Sequence, residues 1–304
     1  MARFPVLGTR ASPLAMAQAR AVARALEAAH GWPGDSVVVR AIRTSGDRIQ
    51  DRPLSEVGGK ALWTKELDLM LAAGETDFSV HSMKDVESER PDAFFLAAML
   101  PRADVRDRLI GAPSIDELAE RATVGTSSPR RAAQLLHRRP DLKIVPIRGN
   151  VQTRLDKLAR GEADATLLAA AGLDRVRIAA GTAIDTEVLL PAPGQAAIGI
   201  ECRSDDDFTI GLLAAINHAE TFSCVRAERA FTRRLGGTCH SPVAALAEPL
   251  QGALWLRAEL LSPDGRERLF DEAVVGGADD AAALAAAMLT RAPAAIRAVF
   301  DGAP

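Results

Sequence analysis

Tyrosine is absent from this 304-residue chain, and aromatic residues make up only 4% of it. Proteins that bind single-stranded nucleic acid stack bases on aromatic rings and neutralise phosphates with an excess of basic residues. The chain instead carries a net charge of −3. We therefore expect a protein that does not bind nucleic acid.

Cysteine and long apolar runs are scarce as well. The three thiols, Cys202, Cys224 and Cys239, are odd in number and have no CxxC spacing, so we expect neither a disulfide framework nor a metal site. No apolar run is long enough to span a membrane, and the first residues reach Gly8 and Thr9 without the core of a secretory signal. These absences predict a cytoplasmic protein that associates with no membrane.

Two pairs of segments repeat in the same order along the chain. Residues 6–13 (VLGTRASP) and 123–129 (TVGTSSP) each predict a short strand, a Gly-Thr turn, a serine N-cap and a helix that begins with proline. Residues 67–79 and 155–166 each predict a helix ended by glycine, an acidic turn and a buried strand. The repeat predicts two similar α/β domains with mostly parallel-cored sheets around a cleft, although pairs such as Gly-Thr also match by chance.

The end of the chain lacks this repeat. A helical pattern from Cys224 to Leu235 leads into a Gly-rich loop at 236–242. Three alternating segments follow, and an alanine-rich stretch over 279–297 predicts a closing helix. We expect a small third α+β domain here.

Arginine supplies most of the positive charge, since only five of the 37 basic residues are lysines. Arginines that stand at predicted helix starts or loops are Arg10, Arg130, Arg131, Arg148, Arg154 and Arg175. Arginine binds carboxylates through two parallel hydrogen bonds. If these side chains converge, they predict a ligand with several carboxylates or phosphates; solvated surface charge is the alternative. No GxGxxG or Walker motif favours a nucleotide.

Two further features could carry chemistry. Residues 80–86 (VHSMKDV) follow a predicted strand, so Lys84 and Asp85 stand where open α/β folds place active sites. A surface ion pair is the alternative. Cys239 lies in the Gly-rich loop beside His240, which makes it the best of the three thiols for a nucleophile or an attachment point. Neutral packing of this thiol also fits the pattern.

Together these segments resemble the porphobilinogen deaminases over essentially the whole chain. The matching segments are 8–15 (GTRASPLA), 57–60 (VGGK), 80–85 (VHSMKD), 124–128 (VGTSS), 147–151 (IRGNV), 193–195 (PGQ) and 227–230 (AERA). No single segment is decisive, but their order and spacing are specific. The resemblance implies a transferase of haem and tetrapyrrole biosynthesis. Such an enzyme condenses four porphobilinogen molecules in sequence, each with loss of ammonia, and water then releases hydroxymethylbilane.

The resemblance also implies roles for individual residues. In this family a dipyrromethane cofactor is joined by a thioether to a cysteine that matches Cys239. The carboxylate that matches Asp85 helps to expel ammonia and stabilises the cationic azafulvene formed at each step. The residues implied to bind cofactor and substrate are Arg10, Ser12, Trp63, Ser82, Lys84, Thr126, Ser127, Ser128, Arg130, Arg131, Arg148, Gly149, Asn150, Arg154, Arg175 and Gln195.

The resemblance implies three domains, two of them shaped like periplasmic binding proteins. Residues 1–99 with about 197–216 form the first, 100–196 the second, and 217–304 the third, which carries the cofactor cysteine. We expect a monomer whose partner is a small-molecule substrate, porphobilinogen. The sequence departs from the family at Trp63 (usually Phe), Glu87 (usually Pro) and Thr238 (commonly Gly). None of these departures removes a catalytic group.

Two other functions fit the same residues. A non-catalytic anion-binding protein would use the two-domain clamp and would have no need for Cys239. A cysteine hydrolase would use Cys239 with His240 and would carry no pyrrole group.

Overall fold

The structure is a computed structural model that describes residues 4–42, 64–237 and 241–300. Of the residues singled out above, Trp63, Thr238, Cys239 and His240 lie outside these ranges. The chain forms two compact units. The first contains the residues up to Ala103 together with Ala196–Phe222, and the second contains Asp104–Gln195 and the residues from Ser223 onward. The predicted division into three domains stays a prediction.

Strands and helices alternate through most of the chain. The strands are β1 (Val6–Arg10), β2 (Val38–Ile42), β3 (Phe78–Ser82), β4 (Phe94–Met99), β5 (Asp107–Ile110), β6 (Thr123–Gly125), β7 (Lys143–Val145), β8 (Ala165–Ala169), β9 (Thr182–Ala183), β10 (Ile198–Arg203), β11 (Val243–Leu250), β12 (Ala253–Leu261) and β13 (Arg268–Val275). The helices are α1 (Pro13–His30), α2 (Lys65–Ala72), α3 (Pro129–Arg138), α4 (Val151–Ala159), α5 (Ala170–Arg175), α6 (Asp207–Ala214), α7 (Ala219–Arg234), α8 (Ala278–Arg291) and α9 (Ala294–Arg297). A 3-10 turn covers Met83–Asp85.

The first unit is built on a five-stranded sheet in the order β2-β1-β3-β10-β4. The first three strands are parallel, and β10 is antiparallel to both of its neighbours. Strand β10 follows all five strands of the second unit's five-stranded sheet in sequence, so the chain returns to the first sheet at this point. Its Ile200 lies opposite Val80 of β3, and both pack with helix α1 in one apolar core.

The second unit contains a sheet in the order β7-β6-β8-β5-β9, with the same strand directions by position. The connectivity differs, because the antiparallel fourth strand β5 is the first strand of its sheet in the chain, whereas β10 is the last of the first sheet. Strands β7, β6 and β8 are parallel, and β5 is antiparallel to its neighbours β8 and β9. Each strand thus has a counterpart in the first sheet. The α/β fold class is confirmed: the chain has two five-stranded sheets, each with a parallel core, and a smaller third sheet. The likeness of the first two domains to periplasmic binding proteins stays a prediction.

Local sequence explains where the two equivalent helices begin. The Ser12 hydroxyl accepts a hydrogen bond from the backbone N–H of Ala15 at 3.3 Å, and Pro13 opens α1. The Ser128 hydroxyl accepts from the N–H of Arg131 at 3.4 Å at the start of α3. A serine cap followed by proline fixes a helix start because proline needs no hydrogen-bond acceptor there. The prediction for both helix starts is confirmed.

The third sheet is antiparallel, in the order β11-β12-β13, and belongs to the second unit. Helices α7 and α8 cover one of its faces through a core that includes Phe231, Leu256 and Met288. The prediction of one helix over 279–297 was wrong in one respect. The chain leaves the helical conformation at Ala292 before Pro293, because a residue before proline is disfavoured in a helix.

Among the described residues, none of the helices combines the length and apolarity that a membrane span requires.

Candidate active site

The first unit has a pocket at the carboxyl edge of its parallel strands. Strand β1 ends at Arg10, and the neighbouring β3 ends at Ser82, after which the 3-10 turn carries Asp85. Because β1 and β3 are parallel, both chain segments reach the same edge of the sheet. We call this open space the Asp85 pocket; it is lined by Arg10, Ser12, Leu14, Ala15, Gln18, Thr64, Val80, His81, Ser82, Asp85 and Val86.

The Asp85 pocket brings together four of the residues predicted from the sequence, namely Arg10, Ser12, Ser82 and Asp85. Lys84 stands in the same 3-10 turn and is half-buried, but it is not part of the lining.

Gln18 of α1 is a lining residue that the sequence analysis missed. Its Nε2 and Oε1 lie 2.8 and 3.2 Å from the Ser82 hydroxyl oxygen, so the amide can donate to or accept from that hydroxyl. Gln18 is buried and lies within an alanine-rich helix face. A glutamine on a helix face that is mostly apolar indicates a polar partner in the core, and this was the signal in the sequence that could have identified Gln18.

A buried group of charges adjoins the Asp85 pocket. The Nε2 atom of His81 lies 3.3 Å from Oε2 of Glu201, a residue of β10 that is 1% exposed. The guanidinium of Arg90 donates two hydrogen bonds to the same carboxylate, at 3.1 and 3.0 Å. Burial would raise the pKa of Glu201, but the contact with His81 and the charge and hydrogen bonds of Arg90 lower it to about 2. Glu201 is therefore an anion at every physiological pH.

The second unit gathers its helix starts at the equivalent edge. Strands β6, β7 and β8 are parallel, so the segments that follow them lie at one edge of the sheet. The predicted residues at this edge are Thr126, Ser127 and Ser128 before and at the start of α3, Arg148, Gly149 and Asn150 before α4, Arg154 within α4, and Arg175 at the end of α5.

Hydrogen bonds join the first two of these segments. The Ser127 hydroxyl donates to the carbonyl of Ile147 at 3.1 Å, and the Thr126 N–H donates to the carbonyl of Val145 at 2.9 Å. The Asn150 side chain caps α4 by accepting from the N–H of Thr153 at 2.9 Å. The turn before α4 is therefore fixed to the turn before α3.

Of the predicted arginines at this edge, Arg154 is anchored by a hydrogen bond and Arg175 is largely buried. The Nε of Arg154 donates to the carbonyl of Gly149 at 2.9 Å, which holds the guanidinium over the turn before α4. Burial lowers the pKa of Arg175 to about 10, although the charge of Asp174 opposes this effect. Arg175 stays a cation at neutral pH, and burial makes a nearby anion more favourable.

Arg130 and Arg131 occupy a different environment from the other predicted arginines, because both are buried and share one carboxylate. Oδ2 of Asp107 accepts from Arg130 Nη2 at 2.7 Å and from Arg131 Nε at 3.1 Å. Oδ1 accepts from Arg131 Nη2 at 2.7 Å and from the amide of Gln195 at 2.9 Å. Asp107 thus connects three polar side chains, and the sequence analysis missed it.

The charges of this buried cluster do not balance. In the part of the chain that the structure describes, Asp107 is the one acid that bonds to Arg130 or Arg131, so two cations share one anion. The Nε of Arg130 is buried and has no hydrogen-bond partner there. Burial lowers the pKa of the Arg130 guanidinium, and repulsion by the positive charge of Arg131 lowers it further. The buried Glu259 carboxylate, which accepts from the Gln134 amide beside Arg130, acts in the opposite direction through its charge.

Comparison with known proteins identifies the family of the chain. Residues 6–210 match the family model described as porphobilinogen deaminase, dipyromethane cofactor binding domain, and residues 222–291 match porphobilinogen deaminase, C-terminal domain. The porphobilinogen deaminase of Sphingopyxis alaskensis is 57% identical over 301 residues, which cover 97% of this chain and 96% of that protein. The porphobilinogen deaminase of Paracoccus denitrificans is 49% identical over 95% of this chain and 94% of that protein.

The chain belongs to the porphobilinogen deaminase family. The family predicted from the sequence is confirmed, and with it the class of transferase, the tetrapyrrole biosynthesis in which the family acts, and the dipyrromethane cofactor. Among solved structures, the second substrate-binding domain of a putative amino acid ABC transporter from Streptococcus pneumoniae is 14% identical, with a TM-score of 0.42 over 69% of this chain and 90% of that one.

Replacing Asp107 by Asn should destabilise this porphobilinogen deaminase strongly. The change leaves two buried guanidiniums without an anion, which costs about 3–5 kcal/mol of unfolding free energy. Urea unfolding followed by circular dichroism measures the loss. The matched control is Asp104→Asn, since Asp104 forms a more exposed pair with Arg106, and its loss should stay below about 1 kcal/mol. Equal stability of the two variants would contradict the role of Asp107 as the buried anion that Arg130 and Arg131 share.

Replacing Glu201 by Gln should make the unfolding free energy fall less steeply as the pH is lowered below about 4.5. The pKa of Glu201 is about 2 in the folded protein and 4.5 in an unperturbed chain, so the unfolded state binds the proton more tightly. Its contribution is complete above about pH 4.5 and is lost as the pH falls toward 2. Urea unfolding at a series of pH values should show a shallower decline for Glu201→Gln than for the wild type.

The control for this series is Glu75→Gln in the same unit, because Glu75 is more than half exposed in its pair with Arg40. It should follow the wild-type profile. A Glu201→Gln profile that also parallels the wild type would show that Glu201 is not held as a carboxylate by His81 and Arg90.

Proposed function

We propose that this chain condenses four porphobilinogen molecules in sequence, each with loss of ammonia, on a dipyrromethane primer held by a thioether at Cys239. Hydrolysis then releases hydroxymethylbilane. The observation that carries the proposal is the Asp85 pocket, whose lining combines one carboxylate with Arg10 and two serines. Family membership over nearly the whole chain supports it. We also propose that the protein acts as a monomer in the cytoplasm.

The residues of the second unit fit a dipyrromethane. Each pyrrole of this type carries an acetate and a propionate, so two linked pyrroles present four carboxylates. Arg130 and Arg131 share one directly bonded carboxylate, Asp107, and the charge of Glu259 also acts on Arg130. Among the described residues the Arg130 Nε has no hydrogen-bond partner, so it can donate to an anion. We assign the carboxylate contacts of this unit to Arg130, Arg131, Arg148, Arg154 and Arg175, with polar contacts from Thr126, Ser127, Ser128, Gly149, Asn150 and Gln195.

The two serine N-caps can serve the same purpose. The hydroxyl oxygens of Ser12 and Ser128 each accept a backbone N–H, which leaves the hydroxyl hydrogen able to donate. Helix N-termini carry a partial positive charge, so a carboxylate is favoured there. Ser12 and Arg10 would bind the side chains of a porphobilinogen that enters the Asp85 pocket. Ser82, Lys84 and Trp63 complete the assignment in the first unit.

Asp85 is the group to which we assign the chemistry. Departure of ammonia from porphobilinogen leaves a positive charge on the pyrrole and its methylene carbon. A carboxylate next to this charge stabilises it, and the same group can move a proton between the pyrrole and the leaving amine. When bound, the dipyrromethane would supply the free pyrrole end to which the first unit is joined, and each later unit would be joined to the one before it. Asp85 is half-buried at the pocket wall, where it can meet a substrate.

Asp85→Asn should lower the rate of porphobilinogen consumption by about 10²–10⁴-fold, since a positioned acid or base contributes that much. The variant should fold and should retain the mass of the bound primer. The control is Asp92→Asn in the same unit, because Asp92 is exposed, and it should keep the wild-type rate. A porphobilinogen assay with intact mass spectrometry measures both properties. Wild-type turnover by Asp85→Asn would refute the catalytic assignment.

Cys239→Ala should remove the cofactor. The wild-type protein should exceed its sequence mass by two linked pyrroles and should colour with an acidic aldehyde reagent for pyrroles. Cys239→Ala should lose both signals, whereas the matched control Cys224→Ala should keep them, because Cys224 is a buried thiol of α7. An unmodified but active wild-type protein would defeat the cofactor assignment. If alkylation also inactivated it, the result would favour the cysteine hydrolase.

A further inference from the structure

Arg90 connects the segments that surround the Asp85 pocket. Its guanidinium donates to both oxygens of Glu201 on β10, to Oδ1 of Asp68 in α2 at 2.6 Å, and to the Thr64 hydroxyl at 3.2 Å. A longer contact of 3.4 Å reaches Oε2 of Glu87, two residues after Asp85. One side chain thus joins the start of α2, the segment after the catalytic turn, and β10.

The position of Arg90 is well defined by its surroundings. The side chain is 9% exposed, and its guanidinium carbon lies 5.5 Å from the centre of the Phe94 ring. Burial alone would lower the pKa of Arg90, but the charge of Glu201 and the hydrogen bond to Asp68 raise it, so the group is a cation under all folding conditions. A planar cation that is stacked and bonded on several sides has little freedom to move.

Two partners of this cluster are themselves walls of the pocket. Thr64 lines the Asp85 pocket, is buried, and donates from its hydroxyl to Oε2 of Glu87 at 3.3 Å as well as accepting from Arg90. His81 lines the pocket too, and it contacts the Glu201 carboxylate that Arg90 holds. Arg90 itself is not in the lining. Its influence on a bound molecule therefore passes through Thr64, Glu87 and Glu201.

A purely stabilising role explains this arrangement less well. Three carboxylates, those of Asp68, Glu87 and Glu201, surround one guanidinium. Buried ion pairs contribute little net stability compared with apolar packing of the same volume, because both partners lose their hydration. Several directional bonds to one rigid fork do, however, fix the relative positions of the segments that carry the partners.

We propose that Arg90 is a positioning residue of the Asp85 pocket. Through Glu87 and Thr64 it fixes the segments that flank Asp85, and through Glu201 it fixes His81 in the pocket wall. The proposal rests on the role of Asp85 proposed above.

The test replaces Arg90 by Met, which removes the fork, and by Lys, which restores the charge without it. Porphobilinogen kinetics, intact mass and thermal unfolding are measured for each variant. We expect Arg90→Met to retain the primer mass and to lower kcat by roughly 10- to 100-fold, the size of effect that a misplacement of about 1 Å produces. KM should change by less than about threefold, and Arg90→Lys should recover part of kcat.

The matched control is Arg40→Met, since Arg40 forms an exposed pair with Glu75 in the same unit, and its kcat should equal that of the wild type. If Arg90→Met unfolds at a lower temperature but keeps wild-type kcat per folded, primer-loaded molecule, the residue only stabilises the fold and the proposal is overturned. Equal kinetic defects in Arg90→Lys and Arg90→Met, with KM raised as much as kcat is lowered, would also overturn it.

A milder variant keeps the test decisive if Arg90→Met does not fold. Glu87 is more exposed than the other acids of the cluster, so Glu87→Ala, which removes the acceptor of Thr64 and Arg90, should fold, and its kcat should fall by about threefold at an unchanged melting temperature. Wild-type kcat in Glu87→Ala would then refute positioning. Asp85→Asn, measured in parallel, separates the two proposals. Full activity of Asp85→Asn would refute both the catalytic and the positioning proposal. If Asp85→Asn loses activity while the Arg90 and Glu87 variants keep theirs, only the positioning role is refuted.

Discussion

The parallel pairing of three strands in each five-stranded sheet determines where the functional groups of each unit lie. Parallel strands end at the same edge, so the described helices α1, α3, α4 and α5 that follow such strands begin there, where their first N–H groups have no acceptor within the helix. Ser12 and Ser128 cap two of these helices, and Asp85 follows a strand at the same kind of edge. The anion binding and the acid–base chemistry that we propose thus depend on one topological constraint that the chain uses twice.

The two units differ in the sign of the charge that they bury next to this edge. In the first unit, Arg90 is surrounded by Asp68, Glu87 and Glu201, so acidic groups outnumber it. In the second unit, Arg130 and Arg131 outnumber Asp107. A buried cationic excess favours carboxylate ligands, whereas an acidic surplus favours a cation or a protonated amine. The division matches a reaction that binds polycarboxylates and expels ammonia.

Short-range patterns explain why much of this fold was predictable. The serine caps of α1 and α3 and the strands at 78–82 and 165–169 depend on residues that are neighbours in sequence. Their repetition was enough to predict two similar α/β sheets. The resemblance to a known family supplied the roles of Asp85 and Cys239, which composition and spacing alone had left open.

Contacts between distant segments were not predictable in the same way. Asp107 meets Arg130 and Arg131 because β5 enters the second sheet antiparallel beside β8, and nothing in the repeat announces that pairing. From the sequence, Glu201 could be recognised only as a charged residue within an apolar strand. Its partners His81 and Arg90 are more than a hundred residues away. Polar side chains in buried strands need partners, but sequence alone does not say which ones.

The departure at Glu87 acquires a physical explanation from this cluster. A proline at this position would offer no acceptor to the Thr64 hydroxyl or to the Arg90 guanidinium. Glu87 offers a carboxylate to both, and its negative charge is shared with a cation instead of standing alone beside Asp85. The substitution therefore does not simply add charge to the pocket. It ties the end of the catalytic turn to the start of α2, a restraint that a rigid proline ring would otherwise have to supply through the backbone.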